Sequence, residues 1–222
     1  MVNKKLFLLS FLIMSIFFVV FSQEIITAER YLEMVSEKYA NMRDFEANIS
    51  IQSNGSNMAG TISYLVPYFL RIDFTAPAEQ TVVFTGDMLT LYLPDYRATL
   101  TQEVNSGRSS AAGQGLRILR RNYTPSYVTG PAPVLLEGTA ESVVRLRLTR
   151  RSSSESFREI ILSINPDTKL IRRMDGTTLA GALIRFDFSA IKINQGIPEQ
   201  RFIYDSPASA NMYNNFLFRN TD

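Results

Sequence analysis

The sequence predicts a mainly β fold, a curved antiparallel sheet of about eleven strands with one N-terminal helix and a short helical lid. Three observations lead to this prediction. Apolar and polar residues alternate in a series of short segments, as they do in half-buried strands. Turn-forming residues separate these segments. Near residue 30, apolar residues instead recur at three- and four-residue spacing, which is typical of a helix.

The first 22 residues have the features of a secretory signal peptide. Lys4 and Lys5 precede a mostly apolar run over residues 6–21, and Ser22 stands at the expected cleavage point. An uncleaved transmembrane anchor is the alternative, but the run is shorter than the ~20 residues that span a bilayer. We therefore expect a signal peptide at 1–22 and one exported domain at 23–222.

An amphipathic helix opens this domain, with Thr27 placed as its N-cap. Its apolar positions are Ala28, Tyr31, Leu32, Val35, Tyr39 and Met42. The period then changes to two, and short turns between successive segments favour an antiparallel meander. The predicted strands are 45–52, 59–66, 68–75, 80–85, 88–93, 96–103, 143–150, 157–164, 169–175, 181–194 and 200–204.

Residues 104–134 interrupt the meander with a glycine- and serine-rich stretch around one short helical segment. A connection of this length is usually a lid, a binding loop or a disordered insert. The apolar residues Leu116, Ile118 and Leu119 favour a lid, because they need an apolar surface to cover.

The residue types exclude most catalytic chemistry. The chain has no His and no Cys, so it lacks the usual general base near neutral pH, the thiol nucleophile and the imidazole metal ligand. The carboxylates are scattered along the strands, which does not favour a hydrolytic pair. We expect a protein that is not an enzyme and that has neither a metal site nor a cofactor.

The charge pattern argues against nucleic acid as a partner. Two of the 23 basic residues lie in the segment 1–22. The rest of the chain therefore has as many basic as acidic residues, 21 of each, and a net charge of zero. Eight arginines nevertheless concentrate in residues 108–151, while residues 24–46 are acidic. This pattern predicts a polarised surface.

Several segments are apolar at more than half of their positions, as at Val82, Val83 and Phe84. A sheet with one wet face should alternate more cleanly. Fifteen Phe and ten Tyr without Trp fit an apolar cavity inside a curved sheet. A well-filled barrel core would have the same composition, and both interpretations stay open at this point.

The order of the segments resembles the LolA-type outer-membrane lipoprotein carriers. The resemblance rests on "FEANISI", "GTISYLVPYFLRIDFTAP" at 60–77 and "QTVVFTGDMLTLYLPDYRAT" at 80–99, then on "IILSINPDTKLIRRMDG" at 160–176 and "ALIRFDFSAIKINQGIPEQRFIYDSP" at 182–207. It covers nearly all of residues 23–222. Val66 departs from the pattern, because well-studied members carry an Arg before this Pro.

The resemblance implies an incomplete, half-open β-barrel with a helical lid, working in the periplasm as a monomer. Its apolar cavity would hold lipoprotein acyl chains or another lipid, between an inner-membrane lipoprotein-releasing transporter and an outer-membrane acceptor. Arg71 is a candidate contact to the lid or cargo. The lid candidates are Leu116, Ile118 and Leu119, and the cavity candidates are Ile49, Ile51, Tyr64, Leu70, Ile72, Phe74, Leu91, Ile184, Phe186 and Phe188.

Two other hypotheses keep the same sheet. A sensor domain would bind lipid or a mislocalised lipoprotein and signal through a protein partner on the arginine-rich 108–151 surface, since fold does not fix function. A structural protein would have a filled core and no ligand.

Overall fold

The computed structural model describes residues 26–104 and 111–217, with the backbone alone for 111–114. The predicted signal peptide lies outside the described residues. Helix α1 spans Ala28–Ala40, and the hydroxyl of Thr27 caps it by accepting a hydrogen bond from the amide of Arg30 at 3.2 Å. No helix in the described ranges is long and apolar enough to cross a membrane.

Thirteen strands and a second helix follow within the described residues. The strands are β1 Asp44–Ser53, β2 Ser56–Leu65, β3 Phe69–Ala76, β4 Ala78–Phe84, β5 Met88–Leu93, β6 Ala98–Glu103, β7 Tyr123–Tyr127, β8 Val134–Leu135, β9 Ser142–Arg150, β10 Phe157–Ile164, β11 Ile171–Thr178, β12 Leu183–Ile193 and β13 Asn211–Asn214. Helix α2 spans Ala111–Asn122, between β6 and β7.

The strands form one unclosed sheet in the order β13-β6-β5-β4-β3-β2-β1-β12-β11-β10-β9-β7, and β8 pairs with β9 beside this path. Two meanders, β1–β6 and β9–β12, are joined where β1 pairs with β12. All pairs are antiparallel except the parallel pair of β13 and β6 within the described residues. The predicted fold class, an incomplete antiparallel barrel with an N-terminal helix, is confirmed.

Cross-strand register divides the side chains between two faces. Tyr64 lies opposite Phe45 and Leu70, and Phe186 lies opposite Ile51 and Met174. Because side chains at directly opposed positions share a face, these residues define what we call the inner face. The neighbouring positions in each strand define the outer face.

Both helices pack on the inner face of β9–β11. Leu32 and Val35 of α1 are fully buried there, in one cluster with Leu146 and Leu162. Burying a Leu or Val side chain stabilises the fold by about 1.5–3 kcal/mol, so this cluster is the main core. The inner face of β1–β3 and β12 has a second, smaller cluster around Ala47, Ile49 and Ile62.

Ten of the eleven predicted strands match observed ones, and residues 200–204 do not. They fall in a 3-10 turn at Glu199–Phe202 followed by extended chain. Strands β7, β8 and β13 were not predicted. The interval 104–134 therefore contains strand β7 and the first residue of β8 in addition to the predicted short helix.

Candidate functional site

A cavity of about 420 Å³ lies between the two apolar clusters. Its floor is the inner face of the sheet, and residues of α1 and α2 complete the wall. The lining residues are Tyr39, Met42, Phe45, Ala47, Tyr64, Leu70, Gly115, Leu116, Leu119, Leu162, Leu170, Ile171, Met174, Phe188 and Ile191.

The cavity offers a ligand almost no polar contact. Its two tyrosine hydroxyls are engaged with the backbone, because Tyr39 accepts a hydrogen bond from the amide of Ile171 at 3.0 Å and Tyr64 donates one to the carbonyl of Pro67 at 3.1 Å. Burial raises the pKa of Tyr39 to about 12, so this hydroxyl stays neutral at physiological pH. An environment of this kind favours hydrocarbon and excludes charge.

The wall formed by β12 depends on a bulge. Phe188 lies opposite Ile49, but beyond Ala190, which has a φ of 50°, the register shifts by one residue. Such an extra residue re-aims the side chains that follow it. As a result Phe188 and Ile191, three positions apart, both line the cavity.

Helix α2 presents one stripe to the cavity. Gly115, Leu116 and Leu119 line it, which is the spacing of neighbours on one helical face. Ile118 is 42% exposed and lies outside the lining. The guanidinium of Arg120 reaches Glu33 of α1 at 2.9 Å, so an ion pair also links the two helices.

The predicted cavity residues share the inner face by register. Tyr64, Leu70 and Phe188 line the cavity. Four others, Ile49, Ile51, Ile72 and Phe186, belong to the adjoining cluster of β1–β3 and β12. The remaining three, Phe74, Leu91 and Ile184, lie farther along the same face. Their role in binding stays a prediction.

Arg71, the candidate contact to the lid or cargo, lies on the outer face by register and outside the cavity lining, and that contact stays a prediction. Its guanidinium pairs with Asp73 and donates hydrogen bonds to the carbonyls of Arg201 and Ile203, both at 3.1 Å. Asp73 also accepts from Arg201. Arg71 thus anchors the C-terminal segment, whose Phe202 is buried against Phe69.

The electrostatics of this anchor are set by burial and by the two arginines. Burial alone would raise the pKa of Asp73, but hydrogen bonds from Arg71 and Arg201 outweigh it and hold that pKa below the ordinary carboxyl value. Asp73 is therefore ionised at neutral pH. It serves as a structural link between β3 and the C-terminal segment.

Several cavity residues were missed by sequence reasoning although the pattern contained them. Phe45 and Ala47 belong to the same series of alternate positions on β1 as the predicted Ile49 and Ile51. Tyr39 and Met42 continue the apolar stripe of α1. No sequence pattern identifies the other six lining residues, because strand order in the sheet brings them to the cavity. These are Gly115, Leu162, Leu170, Ile171, Met174 and Ile191.

The outer face of β11 and β12 has paired charges of structural character. Arg173 pairs with Asp187 at 2.6 Å, and Arg185 pairs with Asp175 at 2.7 Å. The hydrogen bond to Asp175 raises the pKa of Arg185. Among the described residues no group of three acidic side chains is placed to hold a metal ion.

Comparisons with known proteins agree with this architecture. A family model described as outer membrane lipoprotein carrier protein LolA matches residues 50–205. An uncharacterized conserved protein from Thermus thermophilus superposes with a TM-score of 0.57 at 14% identity, over 84% of this chain and 98% of that one.

A second solved structure is the MucA/MucB complex of Pseudomonas aeruginosa, which superposes with a TM-score of 0.54 at 18% identity. The match covers 83% of this chain and 62% of that one. At these identities the likeness extends to the fold alone. The search of curated proteins found no significant match.

Proposed function

Because the chain belongs to the LolA family of outer membrane lipoprotein carrier proteins, we propose that it is a carrier that holds acyl chains in the cavity beneath α2. The carrier works in the periplasm after cleavage of the segment 1–22, and it transfers lipoproteins or another lipid from the inner to the outer membrane. The observation that carries this proposal is the apolar cavity of about 420 Å³.

Physical chemistry supports the assignment. Removing an acyl chain from water gains about 0.8 kcal/mol per buried CH₂, so a carrier needs apolar surface and no reacting group. The lining supplies such surface, and its tyrosine hydroxyls are occupied by the backbone. Helix α2 acts as the lid, because its apolar stripe closes one side of the cavity.

Two neighbouring residues of α2 provide a matched test. Leu119→Glu places a carboxylate in the apolar lining, whereas Ile118→Glu places the same group on the exposed side of the helix. Because an unpaired charge in an apolar lining is unfavourable, Leu119→Glu should lose bound lipid and Ile118→Glu should retain it. Mass spectrometry of organic extracts from the purified native protein and both variants gives the readout.

The outcomes separate the hypotheses. Absence of lipid or lipoprotein from the unaltered protein contradicts the proposal and favours a structural protein. Circular dichroism of both variants tests whether they are folded. Loss of lipid from both folded variants alike would place the binding site elsewhere.

A second candidate is a lipid-responsive protein that signals through a protein partner. The likeness to MucB, solved in complex with MucA, favours it, because one protein of this fold binds a partner. On α2, Arg117 and Arg121 are exposed and could face such a partner. Depletion in cells distinguishes the two, since missorted outer-membrane lipoproteins are expected only for a carrier.

A further inference from the structure

We propose that a small cavity on the outer face of the sheet is a second binding site, which accepts one carboxylate from an acidic segment of a protein partner. The cavity has a volume of about 70 Å³, and it is formed by the outer face of β9–β12 and the segment that follows β8. Its polar lining residues are Glu137, Arg145, Ser163, Arg173, Asp175 and Arg185. The site lies on the opposite face of the sheet from the cavity beneath α2, so it does not depend on what that cavity holds.

Strand register brings the polar groups together. Ser163 of β10 lies directly opposite Arg145 of β9 and Arg173 of β11. Arg173 in turn lies opposite Asp187 of β12. Leu162, the chain neighbour of Ser163, is buried in the core on the inner face, so this row of polar side chains projects from the outer face.

Two of the three arginines are held in place by ion pairs. Arg173 pairs with Asp187 through its Nε at 2.6 Å, and Arg185 pairs with Asp175 through its Nε at 2.7 Å. A guanidinium has five N–H donors in a planar fork, and each pair uses only part of them. Both groups therefore have fixed positions and donors to spare.

Arg145 and Ser163 supply donors that the fold does not use. Arg145 is half-buried, and among the described residues its guanidinium has neither an ion pair nor a hydrogen bond. Ser163 is buried, and its hydroxyl has no hydrogen-bond partner in the part of the chain that the structure describes. Because a buried donor without a partner costs free energy, both groups favour an acceptor that enters the cavity.

The charge around the site fits a single carboxylate. Three guanidinium groups, those of Arg145, Arg173 and Arg185, stand against the two carboxylates of Asp175 and Asp187, which leaves a net charge of +1. One carboxylate neutralises this excess and can bind a guanidinium through two parallel hydrogen bonds. A phosphate dianion would instead leave an excess negative charge beside the buried Asp175.

Glu137 holds the position of this carboxylate only loosely. Its Oε2 lies 4.0 Å from Nη1 of Arg173 and 3.8 Å from Nη2 of Arg185, and its side chain is 83% exposed. These distances are beyond hydrogen bonding, and exposed ion pairs contribute little. A carboxylate that makes direct hydrogen bonds can therefore replace Glu137, which acts as a weak internal competitor.

Exposed leucines beside the site favour a protein partner over a free anion. Leu135 lines the same cavity and is 71% exposed. Leu183 lies on the outer face two positions before Arg185, and it is 48% exposed. Protein interfaces combine apolar contacts with a few charged hydrogen bonds. An acidic residue between apolar ones can use both kinds of contact, whereas a small anion can use only the charged groups.

The test is a titration of the purified protein, followed by two-dimensional ¹H–¹⁵N NMR at constant ionic strength. The probe is the peptide N-acetyl-Leu-Glu-Leu-amide. Its Gln analogue, acetate and inorganic phosphate are the comparison ligands. The acidic peptide should shift the amide resonances of β9–β12 and should bind more tightly than the other three.

Variants assign the binding to this site. Arg145→Gln should weaken peptide binding about tenfold or more, the scale of one hydrogen-bonded charged partner. Arg147→Gln is the matched control, because Arg147 lies on the same face of β9 but outside the lining and pairs with Glu159 at 3.1 Å; it should change binding less than about twofold. Glu137→Gln should strengthen binding about two- to fivefold. Arg145→Gln should leave the free energy of unfolding unchanged.

Four results would overturn the inference. The first is no binding of the acidic peptide by either the unaltered protein or Glu137→Gln. The second is equal weakening by Arg145→Gln and Arg147→Gln, which would indicate diffuse electrostatic attraction. The third is acetate or phosphate that binds as tightly as the peptide. The fourth is a loss of stability in Arg145→Gln without a loss of binding. The carrier proposal is tested separately, by the bound lipid.

Discussion

Truncation of Leu116 tests whether apolar contact or ionic attraction holds α2 over the cavity. Leu116 is 6% exposed, and it belongs to the cluster formed by α1 and β9–β11. The alternative attachment is the ion pair of Arg120 with Glu33, whose side chains are both about one-third exposed. We expect Leu116→Ala to loosen the helix much more than Arg120→Ala.

The magnitude follows from burial. Leu116→Ala should cost about 1.5–3 kcal/mol, the value for fully burying a large aliphatic side chain, and its position beside an existing cavity limits any further cost. Since about 1.4 kcal/mol corresponds to a factor of ten, the open population of α2 should rise about 10- to 150-fold. Solvent-exposed ion pairs contribute little, so Arg120→Ala should raise it less than about fivefold.

Amide hydrogen exchange is the assay, because it measures local opening free energies segment by segment. In Leu116→Ala the amides of residues 115–122 should exchange faster, while those of β10 should keep their rates. Ile118→Ala is the control, since this side chain is largely outside the packing. A larger effect of Arg120→Ala than of Leu116→Ala would refute the apolar attachment.

Three further predictions concern stability. Tyr31→Phe should raise the free energy of unfolding by about 1 kcal/mol, because that hydroxyl is buried without a described partner; Tyr123→Phe, which removes a bonded hydroxyl, should lower it by a similar amount. Both are measured by urea denaturation. Because the pKa of Asp73 is lowered in the folded protein, its ionised carboxylate stabilises the fold at pH values above the ordinary carboxyl pKa. This contribution is lost as the pH falls through the lowered pKa. Asp73→Asn should therefore flatten the acid side of a curve of stability against pH. Gly60→Ala should destabilise by about 1–3 kcal/mol, because its Cβ would lie 2.3 Å from the carbonyl oxygen of Asp73. Gly115→Ala, with open space, should stabilise by about 0.5–1 kcal/mol, and thermal denaturation compares the two.

The alternation of apolar and polar residues was enough to predict most strands and the face on which their side chains lie. The positions of Leu70, Ile72 and Phe74 place these three side chains on one face whatever the strand pairs with. The same alternation puts Arg71 and Asp73 on the other face, away from the cavity candidates of this strand. The contact of Arg71 to the lid or cargo came from the resemblance to the family, and it stays a prediction.

Other features depend on tertiary contacts that a local pattern does not encode. The segment 200–204 ends in three residues of high strand propensity, Phe202, Ile203 and Tyr204, yet hydrogen bonds to Arg71 and Asp73 hold its first part as a turn against the outer face. Strand β13, a segment of four exposed residues without polar-apolar alternation, is a strand because it pairs with β6 at the sheet edge. The bulge near Ala190 shifts the register of β12. The spacing of apolar residues in the sequence does not predict this shift.

The topology explains why a cavity exists here instead of the filled core that composition alone allowed. Helix α2 lies in the chain between β6 and β7, two strands that are far apart in the sheet order, and its Leu116 and Leu119 face the cavity on the inner face. Its described side chains pack with α1 against β9–β11. At the border of the inner face of β1–β3 and β12, Phe45, Ala47 and Phe188 line the cavity together with Leu116 and Leu119. A filled core would need large side chains at this border, but Ala47 and Gly115 stand there. Two small residues facing one apolar space leave a volume that the described side chains do not fill.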